Sequence, residues 1–307
     1  MQNNIKYITY KDIENLNITP EMCNQWAKEV ILRKNECILP PKISIKPVND
    51  NFFTTMPSYI PFIERIGIKE VSRIVGRDPA LKADILLYNS KSGELLSFMD
   101  GTWITSMRTG AVAAITIEKL KKSTTKSYSF IGLGNTAKAT LLCLNSILNG
   151  QEITIKLFAY KKQHLDFMES FSRYQNIKFF VYNDLIDFFS NSDVIVSCIT
   201  STQSLFADEK VYPKGILIVP VHTRGFQNCD LFFDKIFCDD IGHIRNFQYF
   251  NEYKSVSEMT DVLNNETIGR ENDEQRILAY NIGISIQDIF FASKIYDMFN
   301  KNLLNLH

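Results

Sequence analysis

The chain has 307 residues, 45% of them hydrophobic, so it is long enough for two domains that each bury a core. Its 34 basic and 34 acidic residues cancel, which excludes the large positive surface that binding of nucleic acid or an anionic membrane requires. The six cysteines are scattered without a C-x-x-C pair, which favours reduced thiols over a disulfide framework or a zinc site.

The amino-terminal segment shows no targeting signal. It lacks a basic region followed by an apolar run, and no uncharged apolar run in the chain approaches ~20 residues. We therefore expect a cytoplasmic protein with neither a signal peptide nor a transmembrane helix, and with neither nucleic acid nor a membrane as a partner.

The first 120 residues change from helical to strand patterning and back. Residues 6–36 predict a short strand followed by a helix, which begins with Thr19 as N-cap and Pro20 at the first helical position. Residues 39–100 consist of short apolar segments between turn residues, which predict an antiparallel sheet. From residue 102 to about residue 120 the pattern becomes helical.

After a polar break at residues 121–126, apolar strands alternate with helical or turn segments. Continuous apolar strands separated by helices predict a parallel sheet with helices on both faces. A helix is predicted at residues 257–266, and a long amphipathic helix at residues 283–299. The predicted strands are 127–133, 153–160, 177–183, 193–199, 216–221 and 235–240.

A glycine-rich turn follows the first strand of this second region. The segment FIGLGNTAKA places Gly132, Gly134 and Ala137 at the G-x-G-x-x-A spacing between an apolar strand and an amphipathic helix. The first glycine permits a tight turn, the second lets the backbone approach a pyrophosphate, and the alanine permits close helix packing. With Asn135 and Thr136, the helix start offers N–H groups to phosphates. The turn predicts a dinucleotide site; the alternative is a plain strand–helix turn.

The end of the second strand in this region bears on which dinucleotide is bound. Sites that prefer NAD commonly place an acidic residue there to bind the ribose hydroxyls. Here Tyr160, Lys161 and Lys162 occupy the strand end, and no acid is present. Lysines attract a 2′-phosphate, so the sequence favours NADP(H) over NAD(H). The alternative is that both lysines only form a solvated helix start.

Several segments together resemble the ornithine cyclodeaminase/μ-crystallin superfamily. They are MPSY at residues 56–59, GIK at 67–69, SGELLSFMDGTWITSMRTGAVAA at 92–114, and NIGISIQDIFFASKIYD at 281–297. Members of the family show an M-P-x-[YF] segment, a run that ends in R-T-x-A, a G-x-G-x-x-A turn and a closing helix, in this order. The resemblance covers essentially the whole chain.

The resemblance implies an α/β fold of discontinuous domains. A Rossmann-like dinucleotide-binding domain, residues 123–274, is expected to be inserted in an α+β substrate-binding and dimerisation domain, residues 1–122 plus 275–307. It further implies a homodimer and a small-molecule amino or imino acid substrate.

The resemblance also implies residues that contact the cofactor. Arg108 and Thr109 match a pair that contacts the cofactor phosphates, and a guanidinium suits a phosphate. Gly283 matches a glycine near the nicotinamide, and Asp288 lies on the same closing helix. The alternative for Arg108 is a surface salt bridge at a helix start.

Four residues are expected at the substrate on the same basis. Lys69 matches a lysine beside the substrate carboxylate or the reacting imine, although the pattern also fits an exposed strand lysine. Lys42 falls where the family usually has an arginine that holds the carboxylate. Met56 and Tyr59 are expected to line the substrate pocket.

Ornithine cyclodeaminase itself resembles the chain less well. Its glutamate for the distal amine is replaced by Thr54, and its catalytic aspartate aligns with Arg224. An arginine cannot serve as a general base, but it can hold a second substrate carboxylate. His222 is suited to acid or base chemistry, with a capping or core histidine as the alternative. The segment DDIGH at 239–243 resembles members that act on an amino-carboxyethyl-glutamate adduct.

We predict an NAD(P)-dependent oxidoreductase that acts on the C–N bond of an amino or imino acid, with hydride transfer at the α-carbon. The candidate catalytic residues are Lys69, His222 and Arg224. Three alternatives stay open: an ornithine cyclodeaminase-type ammonia-lyase that uses NAD, an opine-like N-carboxyalkyl amino acid dehydrogenase of diaminopropionate synthesis, and a non-catalytic protein that holds NADPH.

Overall fold

The computed structural model describes residues 5–48, 51–199, 208–221 and 229–304. Within these ranges the strands are β1 Lys6–Ile8, β2 Ile43–Ile45, β3 Phe52–Ile60, β4 Arg65–Arg73, β5 Leu81–Asn89, β6 Leu95–Asp100, β7 Ser127–Ile131, β8 Ile153–Phe158, β9 Ile177–Tyr182, β10 Val194–Ser197, β11 Leu217–Pro220, β12 Lys235–Cys238, β13 Val256–Glu258 and β14 Ile277–Tyr280. The helices are α1 Tyr10–Asn15, α2 Pro20–Leu32, α3 Thr102–Leu120, α4 Asn135–Ile147, α5 Gln163–Ser170, α6 Leu185–Ser190, α7 Ile241–Ile244, α8 Met259–Leu263 and α9 Ser285–Leu304.

The chain divides into two compact units. The first comprises Met1–Arg108 and Ile284–His307, and the second comprises Thr109–Gly283. Along the chain, the division therefore falls once within α3 and once just before α9. The functional domain limits expected from sequence, 123 and 274, stay a prediction.

A six-stranded sheet with the order β1-β6-β5-β4-β3-β2 forms the centre of the first unit. Strand β1 pairs with β6 in parallel, and the other neighbours are antiparallel, which confirms the antiparallel sheet predicted over residues 39–100. Alternate residues of a strand face opposite sides of a sheet. One side of this sheet is buried and includes Met56, Lys69, Ile85 and Met99.

Helix α9 packs against the buried side of this sheet, on β3, β4 and β5. Gly67 of β4 permits the close approach, because a Cβ at this position would overlap the side chain of Ile289. Trp26 of α2 packs edge-on against Phe291 of α9, with ring centroids 5.3 Å apart. Thr19 accepts a hydrogen bond from the Met22 backbone N–H, which confirms the predicted start of α2. The contacts of Gly67 with Ile289 and of Trp26 with Phe291 fix the face of α9 that lies over β4.

The other side of the same sheet carries apolar side chains. The strand register places Tyr7, Phe98, Leu86, Ile68 and Pro57 in one row across five strands. Tyr7 is 72% exposed and Phe98 is 39% exposed, so part of the row is open. We call these five residues the apolar row.

An eight-stranded parallel sheet with the order β13-β12-β14-β11-β10-β7-β8-β9 forms the centre of the second unit. The parallel sheet predicted from the alternating pattern is confirmed. The strand order reverses at β7, because β8 lies on one side of it and β10 on the other. In sheets of this kind, ligands bind beyond the carboxyl ends of the strands at such a reversal.

Two details of this sheet differ from the sequence-based expectation. Residues 277–280 form β14, which lies between β11 and β12 and was not predicted. The run has only four residues, all buried, so it offers neither a length nor an alternation that marks a strand. Within the predicted helix 257–266, only Met259–Leu263 is helical, and the preceding residues form β13.

Among the described residues, no helix is long and apolar enough to cross a membrane. In the same part of the chain, no group of three or more His, Cys, Asp or Glu side chains is placed to hold a metal ion. None of the six cysteines, all of which are described, forms a disulfide bond.

An aspartate is buried in the core of the second unit. Asp230 is 1% exposed, and its carboxyl group accepts hydrogen bonds of 2.5 Å from the hydroxyls of Tyr253 and Tyr280. Burial raises the pKa of Asp230 to about 6, although both hydroxyls act to lower it. The folded protein therefore binds a proton at this group more tightly than the unfolded chain does.

Asp230→Asn is expected to remove a pH dependence of stability. Because the folded-state pKa is raised, the stabilising contribution of the neutral carboxyl is full below pH ~4 and is lost as the pH rises through about 6. The variant should unfold about 2–4 °C above the wild type near neutral pH. Thermal unfolding followed by circular dichroism at several pH values measures this difference, which should shrink in acid. A less stable variant at neutral pH would contradict the assignment.

Candidate functional sites in the two units

The glycine turn joins β7 to α4 at the carboxyl edge of the parallel sheet. Gly132 has a φ of +82°, and a Cβ there would lie 2.6 Å from the backbone carbonyl carbon of Cys198. A side chain is therefore excluded by the backbone conformation and by the chain that follows β10. Ala137 is fully buried. The tight turn and the close helix packing predicted from the glycine spacing are both present.

The amino terminus of α4 fits a pyrophosphate. Gly134 is its N-cap and supplies no side-chain hydrogen bond to the first N–H groups. Gly134 and Asn135 are exposed, and among the described residues no atom lies within 4 Å of the place that a Cβ on Gly134 would take. N–H groups at the positive end of a helix bind anions. The residues present therefore fit the phosphates of a dinucleotide.

Helix α3 packs closely against α4 within the second unit. A Cβ on Gly110 would lie 2.5 Å from the carbonyl carbon of Ala139 and 2.6 Å from the backbone nitrogen of Thr140. A glycine is the one residue that permits this approach between the two helices. The position of the α4 amino terminus thus depends on backbone packing as well as on the turn.

Two lysines lie at the carboxyl end of β8. Tyr160 is 57% exposed, and Lys161 has a φ of +53° with its Nζ 5.3 Å from the centre of the Tyr160 ring. Lys162 is exposed and precedes α5. Strand β8 is the parallel neighbour of β7, so the structure places these side chains at the same edge of the sheet as the glycine turn.

Gly283 follows β14 at this edge too and has a φ of +78°. Its backbone N–H donates a 2.7 Å hydrogen bond to Asp239 Oδ2, and the Asn281 side-chain amide donates a 3.1 Å bond to Asp239 Oδ1. Sequence reasoning missed Asp239 and Asn281 as a pair. The predicted strand 235–240 included Asp239, and residues 277–280 were not predicted as a strand, so no sequence signal showed that the two residues follow neighbouring strands.

Three charged side chains meet in the first unit, where α9 packs on β4. Lys69 is 1% exposed, and its Nζ donates a 2.7 Å hydrogen bond to Asp288 Oδ1. Arg108 Nε donates to the same oxygen at 3.0 Å, and another guanidinium nitrogen donates to Gln287 Oε1 at 3.2 Å. When Lys69 is protonated, two cations share one carboxylate, so one positive charge is not compensated within this group. We call Lys69, Arg108 and Asp288 the charge cluster.

The charge cluster gives Lys69 an unusual proton affinity. Burial lowers the pKa of Lys69 to about 7; Asp288 raises it, whereas Arg108 and Lys42 lower it further. A lysine that titrates near neutrality can both donate and accept a proton in a reaction.

Two polar atoms beside the cluster have no hydrogen-bond partner within the described ranges. They are Asp288 Oδ2, an acceptor, and Gln287 Nε2, a donor, and both are buried. Buried polar atoms are nearly always paired, because leaving one unpaired costs about 1–3 kcal/mol. The two atoms therefore suit a small ligand that carries both donors and acceptors.

The structure brings some predicted substrate residues to the charge cluster and not others. Met56 is the cross-strand neighbour of Lys69 on the buried side of the sheet. Lys42 is half-buried and acts electrostatically on Lys69. Tyr59 lies three positions after Met56, so it faces the opposite side of the sheet. Its predicted contact with the substrate stays a prediction.

The other predicted site residues are two expected at the cofactor phosphates and two expected in catalysis. Arg108 lies in the charge cluster, and Thr109 is buried at the start of the second unit. Their predicted contacts with the cofactor phosphates stay predictions. His222 and Arg224 lie outside the described residues, so their predicted catalytic and substrate-binding roles stay predictions.

Comparison with known proteins identifies the family of the chain. The model of the ornithine cyclodeaminase/mu-crystallin family matches residues 7–302. The chain belongs to this family. Among curated relatives, it is 25% identical over 273 residues to the nodulation efficiency protein NfeD of Rhizobium meliloti, with 84% of this chain and 83% of that protein covered. It is 22% identical over 313 residues to the Delta(1)-pyrroline-2-carboxylate reductase of Bacillus cereus, with 94% and 93% covered.

Solved structures share the fold over nearly the full length. The Thermococcus litoralis Delta(1)-pyrroline-2-carboxylate reductase in complex with NADH and L-proline superposes with a TM-score of 0.84 at 20% identity, covering 96% of this chain and 98% of that one. An archaeal alanine dehydrogenase dimer with bound NAD superposes with a TM-score of 0.83 at 21% identity, with 97% of each chain covered.

Proposed function

We propose that this protein is an NAD(P)-dependent oxidoreductase that acts on the C–N bond of an amino or imino acid. The charge cluster carries the proposal, because its uncompensated positive charge is matched by one substrate carboxylate. The family relatives named as a pyrroline-carboxylate reductase and an alanine dehydrogenase support the same reaction class. The glycine turn supplies a cradle for the coenzyme phosphates.

Each side chain of the charge cluster has a role that suits this chemistry. A bound nicotinamide coenzyme supplies or accepts the hydride at the substrate α-carbon. In place of the phosphate contact expected from sequence, we propose that Arg108 binds the substrate carboxylate through its planar guanidinium, because it lies beside Lys69 in the charge cluster. Lys69 delivers a proton to the substrate nitrogen during reduction and removes one during oxidation. Asp288 favours the protonated form of Lys69, and its unpaired Oδ2 accepts an N–H of the substrate.

Net coenzyme turnover tests the proposed function. Purified protein is mixed with NADPH or NADH and Δ1-pyrroline-2-carboxylate, or with pyruvate and ammonia, and the absorbance of the reduced coenzyme is followed. We expect stoichiometric coenzyme oxidation with at least one imino acid. Release of ammonia from ornithine without net oxidation would point to a cyclodeaminase. Tight coenzyme binding without any turnover would leave a non-catalytic protein.

One observation speaks against the cyclodeaminase alternative. Thr54, where ornithine cyclodeaminase has a glutamate, is buried and shares a 2.8 Å hydrogen bond with Ser44 Oγ. A neutral hydroxyl that is already paired supplies no negative charge for the distal ammonium of ornithine. We therefore place hydride transfer with net coenzyme turnover ahead of ammonia elimination.

NADP(H) is proposed as the preferred coenzyme. Lys161 and Lys162 lie at the end of β8, where no acid is present to repel a 2′-phosphate. The two solved relatives contain NADH and NAD, so they do not support this preference. It rests on the two exposed ammonium groups.

Replacing both lysines with alanine is expected to weaken NADPH binding by about tenfold or more, because each charge-assisted hydrogen bond contributes about 1.5–3 kcal/mol. Binding of NADH should stay the same, since NADH carries no 2′-phosphate. Fluorescence titration with each coenzyme measures both constants. Lys178→Ala is the control, because this exposed lysine pairs with Glu152 near the amino end of β9. NADH binding as tight as NADPH binding in the wild type would contradict the preference.

A homodimer is also proposed. The apolar row crosses five strands of the first sheet, and contiguous exposed apolar surface on a protein commonly marks an interface. The alanine dehydrogenase relative is a dimer. A second copy of the chain is therefore the partner we assign to this side of the sheet.

We place the protein in the cytoplasm. None of the six cysteines forms a disulfide bond, and four of them are buried. Free thiols are typical of reducing compartments.

A further inference from the structure

The carboxyl ends of β12 and β14 are joined by one aspartate. These strands are parallel neighbours, and Asp239 and Asn281 are the residues that directly follow them. Asp239 is 4% exposed, and its two carboxylate oxygens accept from the Asn281 side-chain amide and from the Gly283 backbone N–H. The Asp239 backbone N–H in turn donates to the Tyr280 carbonyl at 3.2 Å. The Asp239 side chain therefore holds the segment after β14, and its backbone N–H binds the last residue of that strand.

The segment needs such a partner because of its conformation. With a φ of +78°, Gly283 adopts a backbone conformation that residues with a side chain rarely adopt, and the chain turns away from the strand direction there. A buried N–H at such a turn must be paired, since it has left the hydrogen-bond ladder of the sheet. Asn281 is 1% exposed, and its Oδ1 has no partner within the described ranges. Its amide group is thus oriented through the bond to Asp239.

The location of this segment links it to the coenzyme. It lies at the carboxyl edge of the parallel sheet, the edge that carries the glycine turn after β7 and the lysines after β8. Coenzymes bind along this edge in sheets with this strand order. The family resemblance implies that Gly283 lies near the nicotinamide ring. A group that fixes the Gly283 peptide therefore fixes one wall of the nicotinamide site.

We propose that Asp239 is a positioning residue for hydride transfer, which acts by holding Asn281 and the Gly283 peptide at the coenzyme edge of the sheet. The inference rests on the proposed function, because positioning has meaning only if a hydride is transferred. This role does not require Asp239 to exchange a proton with the substrate or to contact either reactant. Its effect on the reaction passes through the Gly283 backbone.

Asp239→Asn tests the proposal without changing the size of the side chain. The new amide offers one acceptor and one N–H₂ group, so a donor now faces either the Asn281 amide or the Gly283 N–H. Adding Asn281→Asp in the same chain restores the match, because the amide at position 239 can then donate to the carboxylate at position 281 while still accepting from Gly283. The pair of variants separates loss of this network from loss of an aspartate as such.

We expect Asp239→Asn to lower kcat by about tenfold, because a misplacement of ~1 Å near the reacting atoms can cost ~100-fold. Substrate KM should stay unchanged, and the primary isotope effect with coenzyme deuterated at C4 should increase as hydride transfer becomes slower. The double variant D239N/N281D should recover most of the rate. Stopped-flow and steady-state kinetics measure these quantities, and thermal unfolding shows that each variant is folded.

Asp234→Asn is the matched control. Asp234 Oδ2 accepts a 2.9 Å hydrogen bond from the Arg276 backbone N–H at the amino ends of the same two strands. This bond is of the same kind as the one to Gly283 but lies at the opposite edge, so its loss should leave kcat and the isotope effect unchanged. Wild-type kcat and isotope effect in D239N would overturn the proposal, as would equal losses in D239N and D234N or a double variant without rescue. Absence of turnover in the wild-type protein would instead overturn the proposed function.

Discussion

Lys69→Met is expected to lower turnover of an imino acid by about 10²–10⁴-fold, the usual contribution of a positioned acid or base. Methionine keeps most of the length of the side chain but removes its proton and its charge. Asp288 Oδ1 retains Arg108 as a partner, so the buried carboxylate keeps a compensating positive charge in the variant. Steady-state assays of reduction at fixed coenzyme concentration measure the loss, and coenzyme titration should give an unchanged dissociation constant.

The pH dependence of turnover gives the second part of this prediction. Reduction of an imine consumes a proton, so it requires protonated Lys69 and should decline as the pH rises through about 7. Asp288 raises the pKa of Lys69, so Asp288→Asn should lower that pKa and move the declining limb of kcat/KM to lower pH by about 1–3 units. Oxidation of an amine requires neutral Lys69, so its kcat/KM should rise with pH. In Asp288→Asn this rising limb should also move to lower pH.

A control on the same helix separates this effect from a general loss of charge. Asp297 of α9 lies 3.6 Å from Arg65, and its side chain is 51% exposed. Asp297→Asn should leave both the rate and the pH profile of the wild type. A profile that is unchanged in Asp288→Asn, or that moves to higher pH, would show that Lys69 does not titrate in the reaction as proposed.

The charge cluster shows how far sequence alone reaches. Resemblance to the family singled out Lys69 and Arg108, and placed Asp288 on the closing helix without a role. Their meeting depends on tertiary packing, since Lys69 and Asp288 are 219 residues apart in the chain. A local pattern gives the face that a residue occupies on its own strand or helix, but not the partner on the other side. The lowered pKa of Lys69 follows from that burial and was not accessible from sequence.

Strand alternation determines which of the two pocket candidates on β3 lies on the same side of the sheet as Lys69. Met56 and Tyr59 are three positions apart on β3, so they must face opposite sides of the sheet, and only Met56 accompanies Lys69. Strand β14 was missed for the opposite reason. A buried central strand of four apolar residues has no polar face to mark it, and it follows a polar stretch and precedes a long helix.

Gly134→Ala is expected to weaken binding of the coenzyme by about 10–100-fold, because a methyl group placed in a site that the ligand fills costs about 1–3 kcal/mol. The folded protein itself should tolerate the substitution. Gly134 has a φ of −86°, which any residue can adopt, and in the described structure nothing lies within 4 Å of the new Cβ. Fluorescence titration with NADPH and NADH, together with thermal unfolding, measures both consequences.

Gly132→Ala is the comparison variant, because it should lose stability rather than only coenzyme binding. Its φ of +82° and the 2.6 Å approach of a Cβ to the Cys198 backbone predict a loss of stability before any ligand is added. The two glycines are separated by one residue, yet one is required by the fold and the other only by what occupies the open space above α4. If Gly134→Ala binds both coenzymes as tightly as the wild type, the turn holds no pyrophosphate. The open space would then be a surface feature of a strand–helix connection, and the coenzyme assignment would fail with it.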